Sequence, residues 1–403
     1  MAFLQSLRLD GLLSFAPGSE AIPLTGLNVL IGPNGAGKSN LIEAIDLLHA
    51  APMGLANAIT LGGRAVEWIW KGKTGGSTAT IDTVVTAPRR RVPDIRYKLA
   101  FRSVGQGYQI VSELIEETKP RSSTPGKVVS HYRLDGGKYS IGKRKKKGDA
   151  AGDTQSKSTS QGNGSPAFRL DESILLQRKE PDIYPELTWL GEQFSRIHTF
   201  REWSIGRYAE VRKPQSASLP GDTLLADSRN LGMVLNELEH RGHGPEFNRC
   251  LKRFFPRFER VSTRVIGGTV QFYLHESDFG SPIPATRLSD GTIRFLALLV
   301  ILLSPSPPPV VCIEEPELGL HPDALFLIAD LLVAASERMQ LVVTTHSDAL
   351  VSALTEHADS VLVCERIGGA TVVRRVDAEK MQHWLDRYRL GDIWRIGELG
   401  GNP

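Results

Sequence analysis

Apolar positions along this chain change rhythm several times, and each rhythm specifies a different element. Residues 3–15 alternate apolar and polar side chains, the period of a half-buried strand, and Pro17-Gly18-Ser19 turns the chain before a second short strand at 22–24. Leu27–Ile31 is an apolar run with β-branched members, and 310–313 and 340–343 are continuous apolar runs, the mark of strands buried on both faces of a parallel sheet. Helical spacing governs 40–48, 187–200, 224–241 and 247–255, and 293–303 is an apolar helix. Breaks at Ala51-Pro52 and Gly62-Gly63 end the first helical stretch, and a β-like region begins at 67–72. Segments 78–86, 97–101, 108–113 and 131–134 then follow as short antiparallel strands between Gly and Pro turns, and Gly267-Gly268 folds 261–274 into a hairpin. No helical segment keeps heptad spacing over the three or four repeats that a long coiled coil needs.

One stretch abandons both rhythms. Residues 142–166 run through Lys143-Arg144-Lys145-Lys146-Lys147 into Gly, Asp, Ser, Thr, Gln and Asn with almost nothing apolar, too little to offset the entropy of ordering, so a flexible low-complexity loop is predicted. Its basic cluster reads as a contact to a nucleic-acid phosphate backbone or, more commonly for such runs, as a solvated loop. The pattern divides the chain into an N-terminal core part at 1–60, a β-rich lobe at 61–141, the loop at 142–166, an inserted helical lobe with strands at 167–284, and a C-terminal core part at 285–403.

Three apolar strands end in residues that carry chemistry. After Leu27–Ile31 come Gly32, Pro33, Asn34, Gly35, Ala36, Gly37, Lys38 and Ser39, a full phosphate-loop pattern between a strand and a helix that starts with Asn40. Glycines let backbone N–H groups turn inward around a polyphosphate, and the helix start favours anions. Lys38 adds a cation for the β- and γ-phosphates, and the Ser39 hydroxyl is a ligand for Mg²⁺. After 310–313 come Glu314, Glu315, Pro316 and Glu317: Glu314 is expected to hold Mg²⁺ through its water shell and Glu315 to orient or deprotonate the attacking water. After 340–343 come Thr344, Thr345, His346 and Ser347. A lone histidine is a weak signal, and its place after a third core strand is what makes His346 a γ-phosphate sensor. Ser289 and Gly291, at the start of the apolar helix, read as a helix cap that doubles as an anion site.

Composition narrows the field little. The 48 basic and 45 acidic residues leave a net charge of +3, so any nucleic-acid surface must be local. Three cysteines, Cys250, Cys312 and Cys364, have no metal-type spacing and suit a reducing cytoplasm. The start lacks a signal-peptide pattern, and the longest apolar run, 295–303, is short of the roughly 20 residues a bilayer needs, so no membrane span is expected.

Taken in order, these motifs resemble the ABC-type ATPase superfamily: residues 32–39 as Walker A, Leu288-Ser289-Asp290-Gly291-Thr292 as signature, Ile313-Glu314-Glu315-Pro316 as Walker B, and His346 as switch histidine. Residues 27–48, the run from Glu314 to Pro322 and the tail 388–401 are similar to the RecF/SMC-like group, in particular AAA-family ATPases related to the overcoming-lysogenization-defect (OLD) nucleases. The resemblance covers the N-terminal fifth and the C-terminal third. It implies an α/β P-loop NTPase with an ABC/RecF-like head, an antiparallel β-lobe and an inserted helical lobe. It also implies ATP and Mg²⁺ as ligands and a head-to-tail dimer in which Ser289 and Gly291 of one copy close over ATP on Walker A of the other.

The sequence departs from the superfamily pattern at three places. Asp290 stands where transporter ATPases usually have Gly, Glu314 where Asp is commoner, and no glutamine marks the loop that joins the nucleotide site to the lobes, since Gln106 and Gln109 lie deep in the β-lobe. The family's adenine contact implies Arg8, Ser14 and Phe15 as candidates, with Phe15 reading equally as core. The function implied is an ATP-hydrolysing switch acting on DNA or on a separate nuclease or effector, in DNA repair or phage defence. The chain after His346 is short for a nuclease domain of its own. The alternative is the ATPase subunit of an ABC transporter, against which the length of 40–284 counts; a nucleotide-binding scaffold without turnover is disfavoured by Glu315.

Overall fold

Four of the strands that carry chemistry, or flank those that do, pair in parallel: His198–Phe200, Val310–Glu314, Gln340–Thr344 and Leu27–Ile31, in that spatial order. The register sets Ile313 beside both Phe200 and Val343, and Thr344 beside both Glu314 and Leu30, so the strands finish level with one another. Their burial on both faces explains the unbroken apolar runs. Asn28 is one of the buried polar residues in these strands, and its Nδ2 donates to the Leu341 carbonyl at 3.0 Å.

The computed structural model describes residues 2–72, 76–87, 92–121, 126, 128–143 and 168–401. They fall into two compact units that exchange the chain several times: one comprises 1–26, 32–197 and 362–375, the other 27–31, 198–361 and 376–403. Most of the low-complexity loop expected at 142–166, including Arg144, Lys145, Lys146 and Lys147, lies outside the described residues.

The first unit is built on a seven-stranded antiparallel sheet in the order Ile22–Pro23, Leu4–Asp10, Thr78–Val85, Ile95–Val104, Gly107–Glu117, Ser130–Asp135 and Lys138–Ile141. Alternation along Thr78–Val85 is regular, with every second residue buried. The helix Lys38–Ala50 packs beside Pro185–Ser195, where His49 Nδ1 lies 3.2 Å from the Phe194 carbonyl and the Phe194 ring meets Phe3 and Tyr97 edge-on. A hairpin of Val361–Ile367 and Ala370–Arg375 contributes residues 362–375 to this unit.

The second unit surrounds its parallel strands with helices Asp290–Leu302 and Pro322–Ser336, and adds helices Leu231–His240 and Gly244–Phe254 beside the hairpin Phe258–Ile266 and Thr269–Glu276. Asp290–Leu302 is buried from Thr292 onward on every side, which is why its sequence shows an unbroken apolar block rather than a stripe.

Four elements differ from the pattern-based expectation. The strand from residue 3 stops at Asp10, because Gly11 and Leu13 take positive φ and turn the chain. Residues 65–68 form a short helix, with Trp68 Nε1 donating to the Ile59 carbonyl. The helix expected over 187–200 ends at Ser195, and 198–200 joins the parallel sheet. The helix expected over 224–241 begins only at Leu231, because the Asn230 side chain stitches the preceding loop: it accepts from Leu225 N–H and donates to the Pro220 and Thr223 carbonyls.

Candidate active site: phosphate loop, paired carboxylates and signature

The phosphate loop belongs to the first unit. Gly32, Gly35 and Gly37 have φ of 144°, 77° and 101°, the half of backbone space that glycine occupies without strain. At two of them space is refused as well: a Cβ on Gly32 would strike the Cys364 carbonyl, and one on Gly37 the Thr371 hydroxyl. The helix that follows has no acidic residue in its first turn and no side-chain cap, so its leading N–H groups suit an anion. Lys38 Nζ donates to the Gly32 and Pro33 carbonyls at 2.8 and 3.1 Å, laying the ammonium along the loop. Asn34 and Ser39 line the same turn, with Ser39 in the helix's first turn.

No sequence motif marks what supports this loop. Thr371, on the strand Ala370–Arg375, donates from Oγ1 to the buried Ala36 carbonyl at 2.7 Å and stands 2.7 Å from Ser14 Oγ. Asn40 Nδ2 donates to the same Ser14 Oγ at 2.7 Å, and the main-chain N–H of Thr371 donates to the Ser14 carbonyl. Of the three adenine candidates, Ser14 therefore reaches the loop's hydrogen-bond network; Phe15 is buried core, and Arg8 is exposed beside Asp10. Gln109 accepts from Arg102 on the antiparallel sheet, next to the turn that carries Gln106.

The carboxylates belong to the second unit. Glu314 ends its strand beside Thr344, and its side-chain Oε1 accepts from Arg201 Nε at 3.1 Å while its main-chain carbonyl accepts from Trp203 Nε1 at 3.1 Å. Glu315 has φ of 47°, a conformation that costs a non-glycine residue about 1–2 kcal/mol, and its N–H donates to the Thr344 carbonyl at 3.0 Å. This kink turns a half-exposed carboxylate toward His346, whose Nε2 lies 3.8 Å from Glu315 Oε1.

Glu317 fixes His346 from behind. Its Oε1 accepts from Thr345 Oγ1 at 2.7 Å and from the His346 N–H at 2.8 Å, whereas Oε2 is buried without a hydrogen-bond partner among the described residues. Burial pushes the Glu317 carboxyl above the ordinary glutamate range, against the pull of those two donors. Arg294 is 8% exposed, its Nε and Nη1 have no hydrogen-bond partners among the described residues, and its guanidinium lies 5.1 Å from the centre of the Trp203 ring. Burial lowers its pKa, and the acids Glu317, Asp290 and Glu315 oppose that shift.

Ser289 caps Asp290–Leu302, its Oγ accepting from the Thr292 N–H at 3.0 Å. Gly291 sits so close to the Gly319 carbonyl that a Cβ would collide with it. The buried Arg212 donates to the Leu288 and Ala285 carbonyls at 2.6 and 3.2 Å and pairs with Asp290, which gives Asp290 a structural role at the position where Gly is usual. The loop that presents Ser289 is thus pinned by a charge from residue 212. Arg201 escaped the sequence reading because 187–200 looks helical throughout, and Arg212 because its contacts to residues 285, 288 and 290 are long-range. The signal was Ile197 and Thr199, β-branched residues just before Phe200 and Arg201.

The donor set fits the ligands expected from the motifs. Positive-φ glycines, an uncapped helix start and a lysine make a polyphosphate cradle. Within its own unit, the Ser39 hydroxyl is a hard oxygen donor of the kind Mg²⁺ takes, and so, within the other, is the Glu314 carboxylate.

The family described as "AAA domain, putative AbiEii toxin, Type IV TA system" matches residues 27–352. The Old nuclease of Escherichia phage P2 is 26% identical over 183 residues, a match covering 38% of this chain and 31% of that nuclease. Among solved structures, an Smc head bound to the C-terminal winged-helix domain of ScpA superposes with a TM-score of 0.60 at 15% identity, over 94% of this chain and 99% of that one. An Smc head with an extended coiled coil, bound to the C-terminal domain of ScpA and derived from Pyrococcus furiosus, gives 0.59 at 14% identity, over 96% and 99%. An Smc head with a coiled coil and joint from Pyrococcus yayanosii gives 0.54 at 12% identity, over 96% and 99%. The fold is that of an SMC-head P-loop ATPase.

Proposed function

The chain belongs to the AAA-domain family that matches its residues 27–352, and from that premise we propose that it is an ATP-binding and hydrolysing switch of the cytoplasm. Two copies close head to tail around ATP, and the closed state acts on DNA or on a separate nuclease or effector, in DNA repair or phage defence. The observation that carries the reading is the loop at 32–39: three glycines at positive φ, an uncapped helix start and the Lys38 ammonium, a combination that serves phosphate and little else. Lys38 neutralises the β- and γ-phosphates, and Ser39 with Glu314 would hold Mg²⁺, which when bound offsets charge on the phosphate oxygens. Glu315 takes the proton of the attacking water, and the imidazole of His346 supports it from 3.8 Å. Ser289 and Gly291 serve the nucleotide of the opposite copy. Similarity to the Old nuclease supports a target connected with nucleic acid.

Glu315→Gln tests the reading. It retains binding and blocks hydrolysis, so size-exclusion chromatography with light scattering should show a dimer in ATP and a monomer without it. A variant that binds ATP yet stays monomeric at every protein concentration would sink the dimer.

A further inference from the structure

Arg201 follows the strand His198–Phe200, whose register with Val310–Glu314 places Phe200 beside Ile313 and so brings residue 201 level with Glu314. Its Nε donates to Glu314 Oε1 at 3.1 Å. Two residues further on, Trp203 Nε1 donates to the main-chain carbonyl of the same glutamate, so one short segment grips Glu314 at both its side chain and its backbone. That segment is itself braced, since the Trp203 ring stacks on Phe200 and lies 5.1 Å from the Arg294 guanidinium. The two partners of the ion pair are unequal: the Arg201 side chain is 30% exposed and the Glu314 side chain 17%. The arginine can move into water on its long stem, whereas the carboxylate, at the end of a buried strand, cannot follow it.

A guanidinium therefore rests on an oxygen that the proposed function assigns to Mg²⁺. We propose that Arg201 is a placeholder cation: it compensates the Glu314 carboxylate until the water shell of a divalent ion takes that oxygen, and it is displaced when the ion arrives. The inference rests on the reading of this chain as a Mg²⁺-dependent ATP switch. A half-buried carboxylate left without a counter-charge is unfavourable, so a resident cation stabilises the metal-free state. The same cation opposes metal binding, because a doubly charged ion must separate an existing pair before it gains its own. The bond from Trp203 to the main-chain carbonyl does not involve the carboxylate, so the backbone of Glu314 keeps its place during the exchange. Arg201 is thus a positioning residue for the metal step, at the end of the core strand that flanks Walker B.

The test is the Mg²⁺ dependence of nucleotide affinity, read with a fluorescent ATP analogue in EDTA and across a Mg²⁺ titration. Arg201→Met should lower the half-saturating Mg²⁺ concentration about two- to fivefold, the scale of a partly exposed ion pair, with affinity in EDTA unchanged. Arg201→Lys, which keeps a cation, should stay near wild type. On a Glu314→Gln background the Arg201→Met shift should disappear. A higher Mg²⁺ requirement in Arg201→Met would show that the arginine orients the carboxylate for the metal, and no shift would show that it is a bystander; either result overturns the proposal, as does a shift that persists with Glu314→Gln. If Arg201→Met loses its thermal unfolding transition, Arg201→Gln makes the same comparison. A wild-type chain that binds no nucleotide with or without Mg²⁺ overturns the ATP reading, and this proposal with it, whereas normal nucleotide binding with a wrong metal response overturns the role of Arg201 alone.

Discussion

At the scale of single residues, the phosphate loop depends on a side chain that no motif includes. Thr371 fills the space against Gly37 and donates to the Ala36 carbonyl, so the loop's shape is set partly by a hairpin more than 300 residues away. Thr371→Val keeps the shape of the side chain and removes the hydroxyl. It leaves a buried carbonyl unsatisfied, at a cost of about 1–3 kcal/mol, and should lower both the thermal midpoint and ATP affinity; unchanged ATP affinity would mean that the loop holds its shape unaided. A second residue, Glu113, is fully buried in the β-lobe and accepts from Tyr97 Oη, Ser173 Oγ and the Ile174 N–H. Burial outweighs these donors and pushes its carboxyl up to about 7 from an ordinary 4.5. The folded state therefore binds the proton more tightly than the unfolded chain does. The corresponding stability is complete below about pH 4.5 and is lost as pH rises to about 7, on the order of 3 kcal/mol in all. Glu113→Gln should flatten that part of the denaturation profile, and an identical slope in the variant would refute the assignment.

At the scale of elements, the sequence was most legible where one physical demand dominated. Strands buried on both faces must be apolar throughout, and Leu27–Ile31, Val310–Glu314 and Gln340–Thr344 read that way directly. The phosphate loop was legible because its backbone angles admit only glycine. His198–Phe200 was not, since three residues next to a helix carry too little period to separate strand from helix, and with that strand went Arg201. Thr371 was hidden for another reason: its role comes from a contact across the fold, which leaves no local trace. The helix that Ser289 caps carries a prediction for stability and one for the proposed function. Ser289→Ala removes the cap bond to Thr292 and should destabilise the chain by about 1 kcal/mol. Under the proposed function it should also abolish the ATP-dependent dimer while leaving ATP binding intact, because Ser289 serves the opposite copy. Loss of ATP binding in the monomer would place Ser289 in its own subunit's site.

At the scale of the whole molecule, charge bears on the target. A balance of 48 basic and 45 acidic residues gives no general attraction to a polyanion, so any affinity for DNA has to come from a local cluster. Lys143 is exposed and opens the basic run that continues through residue 147. Each phosphate that such side chains neutralise releases counterions, so the logarithm of the affinity falls linearly with the logarithm of salt concentration, with a slope of about 0.9 per contact on duplex DNA. A titration between about 50 and 200 mM salt therefore counts the contacts. Replacing the five basic residues at 143–147 by serine should weaken binding at low salt and flatten the slope by as many contacts as the run supplies, with ATP-dependent dimerisation unchanged. An unaltered slope in that variant would move the DNA surface elsewhere on the molecule. If the wild-type chain shows no binding at low salt, with or without ATP, the target is protein, and under the proposed function the switch acts through the surface that an ATP-bound dimer presents to a nuclease or effector.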